Sequence, residues 1–332
     1  MFRLLSTTAA CLAALPALAD VNIYTTRQPE LIHPVMDAFT EETGIEVNLA
    51  FVDSGIVERL RAEGTRSPAD LVMTVDIANL RQIVEAGVTE PVESETLTAN
   101  IPEAFRSADN QWFGLTTRAR IVYASKDRVP DGEVTTYEDL ASDKWEGRIC
   151  TRSGTHNYNL ALLSAVIAHD GEEAAREWAA GVKENLARKP QGNDRAQVKA
   201  IWAGECDISL GNTYYMGQMV NDPEQVEWAD SVRIVYPTFE DGGTHMNVSG
   251  IALVQGAENR DEAVQLMEWL SSPEAQAIYA EVNHEFPVLP DAPRSELVES
   301  WGAFTPDELP LTEIADHRAD ALRIMEEVDF DG

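Results

Sequence analysis

Trp112-Phe113-Gly114-Leu115-Thr116-Thr117-Arg118-Ala119-Arg120-Ile121-Val122-Tyr123 is rich in aromatic and β-branched residues and reads as one long strand. Before it, Val21-Asn22-Ile23-Tyr24, Ile45 to Phe51 and Pro68 to Met73 read as strands. Between them, helical spacing appears at Leu31, Ile32, Val35, Met36 and Phe39, then at Val57 and Leu60, then from Ile77 to Ala86. Gly44, Gly64 and Gly87 stop these helices. Strand and helix alternating over short links predict a parallel sheet covered on both faces. After the long strand a second cycle begins: a helix near Tyr137–Leu140, strand Arg148–Thr151, an apolar helix Tyr158–His169, acidic helices Glu172–Leu186 and Asp194–Gly204, and strand Cys206–Leu210. A second extended run lies near 244–254, followed by helices Arg260–Leu270, Pro273–Val282 and Thr312–Val328. The expectation is an α/β chain of two lobes, each a mainly parallel sheet flanked by helices, joined by crossover strands. One lobe takes residues 20–117 with 246–290, the other 118–245 with 291–332. A ligand is expected in the cleft between them.

The chain has 332 residues, enough for two domains. Residues 1–19 read as a secretory signal peptide: Arg3, an apolar run from Leu4 to Leu15, then Ala17-Leu18-Ala19 as the cleavage site. The mature chain then begins at Asp20 and is exported. No later apolar run reaches the ~18 residues of a membrane span, so no membrane insertion is expected. Cys11 leaves with the signal, and Cys150 and Cys206 remain. In an exported chain one disulfide is the economical outcome, two free buried thiols the alternative. The formal charge of −32 repels nucleic acid and anionic membrane surfaces.

Function is most legible at Gly211-Asn212-Thr213-Tyr214-Tyr215-Met216-Gly217-Gln218, where an apolar strand turns into a helix. Backbone N–H groups at such a corner are unsatisfied, which favours negative charge. Adjacent tyrosines there are either packing residues or phenolates, and a phenol becomes a phenolate at neutral pH beside a bound metal ion. Tyr158 stands at another helix start, behind the capping candidates Thr155 and Asn157. Three phenolates meeting at one point would neutralise a trivalent ion, and iron(III) accepts such hard oxygen donors. Arg118 and Arg120 are expected to divide between the two faces of their strand, leaving one for the cleft. The six histidines show no metal-helix spacing, and His156 alone lies close to a candidate ligand. The sequence has no Gly-x-Ser-x-Gly, Gly-x-Gly-x-x-Gly, phosphate-binding Gly-Lys-Ser/Thr loop or Cys-x-x-Cys.

Taken together, Val21 to Tyr24 with Arg27-Gln28-Pro29, Leu115 to Arg120, Ile149-Cys150-Thr151-Arg152-Ser153-Gly154 running to Tyr158-Asn159, and Gly204 to Ile208 running to Tyr214-Tyr215 resemble the periplasmic ferric-iron-binding proteins of bacterial iron(III) ABC transporters. The resemblance covers nearly all of the mature chain. It implies a type II periplasmic binding protein fold with Tyr158, Tyr214 and Tyr215 as iron ligands. Many members carry His-Tyr just after the first strand; Gln28 and Pro29 stand there instead. The chain therefore resembles the three-tyrosine subgroup, which completes its shell with carbonate, and Gln28 and Arg118 are implied near that anion. Gln218 replaces a basic residue common after the tyrosine pair. The implied function is non-enzymatic: a monomer that binds iron(III) in the periplasm and delivers it to an inner-membrane permease powered by a separate ATPase. Rival expectations are the same fold carrying a polyamine, a sulfonate or another organic or anionic solute, an exported hydrolase, and an exported structural protein.

Overall fold

The computed structural model describes residues 20–52 and 54–332. The expected signal peptide lies outside the described residues. Among the described residues ten strands follow in chain order: β1 (Val21–Thr25), β2 (Val47–Phe51), β3 (Leu71–Thr74), β4 (Thr89–Glu90), β5 (Phe113–Ser125), β6 (Ile149–Cys150), β7 (Ile208–Asn212), β8 (Val232–Val235), β9 (Met246–Val254) and β10 (Phe286–Pro287). The sheet path is β2-β1-β3-β9-β5-β7-β6.

The expected long strand is β5, with 13 residues, all buried. It works as two half-strands laid end to end. Phe113 to Ala119 pair with β9, and Arg120 to Ala124 pair with β7. β8, pairing from Val122 to Ser125, continues the β9 edge, and β10, pairing at Thr116 and Thr117, continues the β7 edge. The change of partner falls at Arg120, whose N–H donates to the His245 carbonyl at 2.9 Å. One strand thus belongs to both sides of the molecule. Among these strands, parallel pairing joins β1 to β2 and β3, and β6 to β7. Pairs made by β5 and β9 are antiparallel. The crossing strands β5 and β9 run against their neighbours in the otherwise parallel sheet.

Helices lie where apolar spacing placed them, with corrections at their ends. The predicted helices Tyr158–His169 and Glu172–Leu186 form as two helices within Asn157–Glu184, separated at Gly171, whose φ of 85° and ψ of 168° are non-helical. The predicted terminal helix is two, Leu311–Asp316 and Arg318–Glu327. Tyr137–Leu140 is instead a single 3-10 turn over Glu138–Ala141. Pro273–Ile278 continues as a π-helical turn over Tyr279–Asn283. One apolar cluster runs from Val72 and Leu80 through Trp112 to Val122, Leu162 and Ile324. Two further clusters lie on the β1–β3 side, around Ile23, Phe39 and Phe113, and on the β7 side, around Tyr123, Ile201 and Met219. Cys150 at the end of β6 and Cys206 just before β7 are joined as a disulfide, with Cα atoms 5.9 Å apart. Among the described residues no helix is long and apolar enough to cross a membrane.

Candidate metal centre

The three tyrosines are delivered by two strand ends. β7 ends at Asn212, Thr213 turns the chain, and the helix Tyr214–Val220 opens on the tyrosine pair. β6, beside β7 in the sheet, ends at Cys150 and leads through Arg152-Ser153-Gly154 to the helix carrying Tyr158. The capping residue of that helix is His156, correcting Thr155 and Asn157: its Nδ1 accepts the Tyr158 N–H at 3.2 Å. Burial first, then Arg152 and Arg120, push the His156 imidazole down to about 3, so a neutral ring is available as the acceptor.

The Tyr158 and Tyr214 phenolic oxygens are 3.0 Å apart. The Tyr214 and Tyr215 rings pack with centroids 4.3 Å apart. Tyr214 and Tyr215 are buried and Tyr158 half-buried. All three line a cavity of about 220 Å³ with Gln28, Arg27, Arg152, His156 and the exposed Phe51. Burial raises the Tyr214 phenol well above its ordinary value, and the neighbouring Tyr158 and Tyr215 add to this. Tyr215 is raised for the same first reason, with Tyr158 and Asp194 contributing. Without a cation these two phenols keep their protons across the neutral range. A multivalent ion reverses that balance.

Around the phenols stands a shell of arginines. Arg152, Arg118 and Arg120 lie 5.0, 5.8 and 5.9 Å from the Tyr158 ring centroid. Both strand arginines therefore face the tyrosine, contrary to the expectation that they divide. The physical reason is the pleat: residues two apart on a strand share a face. Arg118 is buried and donates to Ser249 Oγ at 3.3 Å and to the Val75 carbonyl. Arg120 is held by Asp194 at 3.2 Å and Asn159 at 2.6 Å, and Arg152 reaches the other oxygen of Asp194 at 3.1 Å. Arg27, on the cavity wall, is paired with the buried Glu285. Gln28 is exposed and lines the same cavity. Gln218, on the next helical turn, does not line it.

Arg27, Arg152, Asp194 and Glu285 are site residues that sequence reasoning misses. Arg27 and Arg152 sit inside motifs whose arginines give the only signal. Two carboxylates among 57 acidic residues give none. Among the described residues no group of three or more His, Cys, Asp or Glu side chains is placed to hold a metal ion. The convergent oxygen donors of the cavity are the phenols.

A family model described as bacterial extracellular solute-binding protein matches residues 35–306. Iron uptake protein A1 of Synechocystis sp. is 43% identical over 311 residues, which are 93% of this chain and 86% of that protein. The apo ferric ion-binding protein A of Pasteurella haemolytica superposes with a TM-score of 0.92 at 46% identity, covering 95% of this chain and 99% of that one. A Trichodesmium protein (IdiA, FutA) in complex with iron and citrate superposes at 0.87 with 39% identity, covering 94% and 99%.

Proposed function

The chain belongs to the bacterial extracellular solute-binding protein family, among relatives named for iron uptake and ferric ion binding, and from that premise we propose that its cargo is iron(III). The ion is held by the phenolates of Tyr158, Tyr214 and Tyr215, and the observation that carries this is the convergence of these side chains, with Tyr158 and Tyr214 oxygens 3.0 Å apart. Three phenolates balance a trivalent charge, and four surrounding guanidinium groups favour the ionised phenols. The remaining coordination positions take a synergistic carbonate. Gln28 borders the cavity where that anion would sit, and Arg118 contributes its charge from behind Tyr158.

Residues 20–117 with 246–290 and residues 118–245 with 291–332 then act as the two lobes that close over the ion. A signal peptide removed after Ala19 sends the chain to the periplasm. There it works as a monomer and hands iron to an inner-membrane ABC permease driven by a separate ATPase. Citrate is a second reading for the anion. The tyrosine cavity adjoins a chamber of about 490 Å³ that shares Thr26, Asn79 and Asn157 with it and is lined by Arg61 and Arg318 as well as Glu58 and Glu85, with room for a larger carboxylate than carbonate.

The test is titration of the purified chain with iron(III) in the presence of carbonate or citrate. A visible tyrosinate-to-iron absorption band and a rise in unfolding temperature are expected. Tyr214→Phe and Tyr215→Phe should weaken the band while the fold persists. Unchanged colour and affinity in both variants would refute the ligand assignment, and stabilisation by sulfonates alone would favour an organic cargo.

A further inference from the structure

The Tyr158 side chain is placed differently from its two partners. Tyr214 and Tyr215 are buried and fixed by packing, whereas Tyr158 is half-buried and depends on where its helix begins. That starting point is set by Ser153 and Gly154. The Ser153 carbonyl accepts the His156 N–H and the Asn159 side-chain amide, each at 3.1 Å, and His156 in turn accepts the Tyr158 N–H. The loop is itself held from outside, by the residues that follow the helix Arg318–Glu327. Asp331 accepts the Ser153 hydroxyl on one carboxylate oxygen and the Gly154 N–H on the other, the latter at 2.7 Å. Phe330 is buried against the same loop. A Cβ built on Gly154 would fall 2.6 Å from its ring and 3.0 Å from the Met325 sulfur, so the backbone at Gly154 is in direct contact with this segment.

We infer that Asp331, backed by Phe330, is a positioning residue for Tyr158. Its carboxylate straps the Ser153-Gly154 loop and so fixes the point from which the helix projects its phenol toward Tyr214. The inference rests on the proposed role of Tyr158 as an iron ligand. Asp331 touches neither the phenols nor the cavity. Its effect reaches the metal through the loop, the His156 cap and the helix start.

The full chain loaded with iron(III) and citrate or carbonate tests this, using Asp331→Ala, Ser153→Ala, the double variant and Tyr158→Phe. Asp331→Ala should move the tyrosinate-to-iron band and speed iron loss to EDTA about tenfold, the scale of one charge-assisted hydrogen bond. The double variant should change less than the sum of the two single variants, because the two side chains share one hydrogen bond. A merely structural role would lower the unfolding temperature and leave the band of the folded, iron-loaded protein where it was. That result overturns the inference, as does an unaltered release rate in Asp331→Ala when Tyr158→Phe alters both readouts. An unaltered band in Tyr158→Phe would remove the ligand assignment first, and the strap with it.

Discussion

The phenolic oxygens of Tyr158 and Tyr214 lie 3.0 Å apart, although 56 positions separate the residues in the chain. What brings them together is the pairing of β6 with β7, because each strand ends just before the loop that leads to one of the tyrosines. The closeness is not comfortable for two charges. Two phenolates at that separation repel, so the arrangement is suited to neutral phenols in the empty protein and to phenolates only around a shared cation.

Iron capture should therefore release protons. Burial raises the Tyr214 and Tyr215 phenols, so both are protonated at neutral pH and must lose their protons to bind. The sign follows: apparent affinity rises with pH, by about tenfold per unit for each proton released. Proton release measured per iron bound should fall by one in Tyr214→Phe and by one in Tyr215→Phe, relative to the wild type under the same iron source. Equal counts in all three proteins would show that these phenols do not ionise on binding.

The disulfide should stabilise both tyrosine loops. Cys150 ends β6 and Cys206 precedes β7, and the bond closes a loop between positions 56 apart. In the chain-entropy account a loop of that size is worth up to about 4 kcal/mol. Cys150→Ala with Cys206→Ala should lower the urea midpoint accordingly, and reductant should have no further effect on that variant. A midpoint that does not move would mean the paired strands alone hold the loops together.

Gly217 should not accept a side chain. It lies within the first turn after the tyrosine pair, and a Cβ there would fall 2.1 Å from the His284 ring. His284 holds a left-handed backbone with φ 57° at the end of the π-helical turn, and its Nε2 is 3.2 Å from the Asn221 amide. Gly217→Ala should cost about 1–3 kcal/mol by overpacking, measured by urea denaturation. His284→Ala added to it should recover part of the loss. Additive costs in the double variant would show that the two residues do not meet.

Much of this layout is legible in the amino-acid sequence because it has local signatures. The run Trp112–Tyr123 is extended and apolar over most of its length, and it forms β5; Arg260–Leu270 has clean helical spacing, and the helix has those ends. Tyr214-Tyr215 stand out because an apolar strand runs straight into them. What stays hidden depends on long-range contacts. Glu285 meets Arg27 across 258 positions, and nothing near either residue announces the other. His156 is hidden as a cap because Thr155 and Asn157 have the stronger intrinsic preference, and the loop bonds at Ser153 decide otherwise.

Asp194 should separate stability from ionisation. Its carboxylate is fully buried and accepts Arg120 on one oxygen and Arg152 on the other. Asp194→Asn leaves the buried Arg120 and the partly buried Arg152 facing a neutral amide, which should destabilise the fold by about 3–5 kcal/mol. Asp194 is also one of the groups that push the Tyr215 phenol up. Removing its charge leaves a more positive surrounding, so Tyr215 should ionise more readily in whatever fraction remains folded. The two effects have opposite signs: the urea midpoint falls, while iron affinity of the folded variant at fixed pH holds or rises. Urea denaturation and iron competition against a chelator, run on the same preparation, read them separately. If affinity and stability fall together, Asp194 serves the site by holding Arg152 in place, and the field it exerts on Tyr215 is the lesser effect.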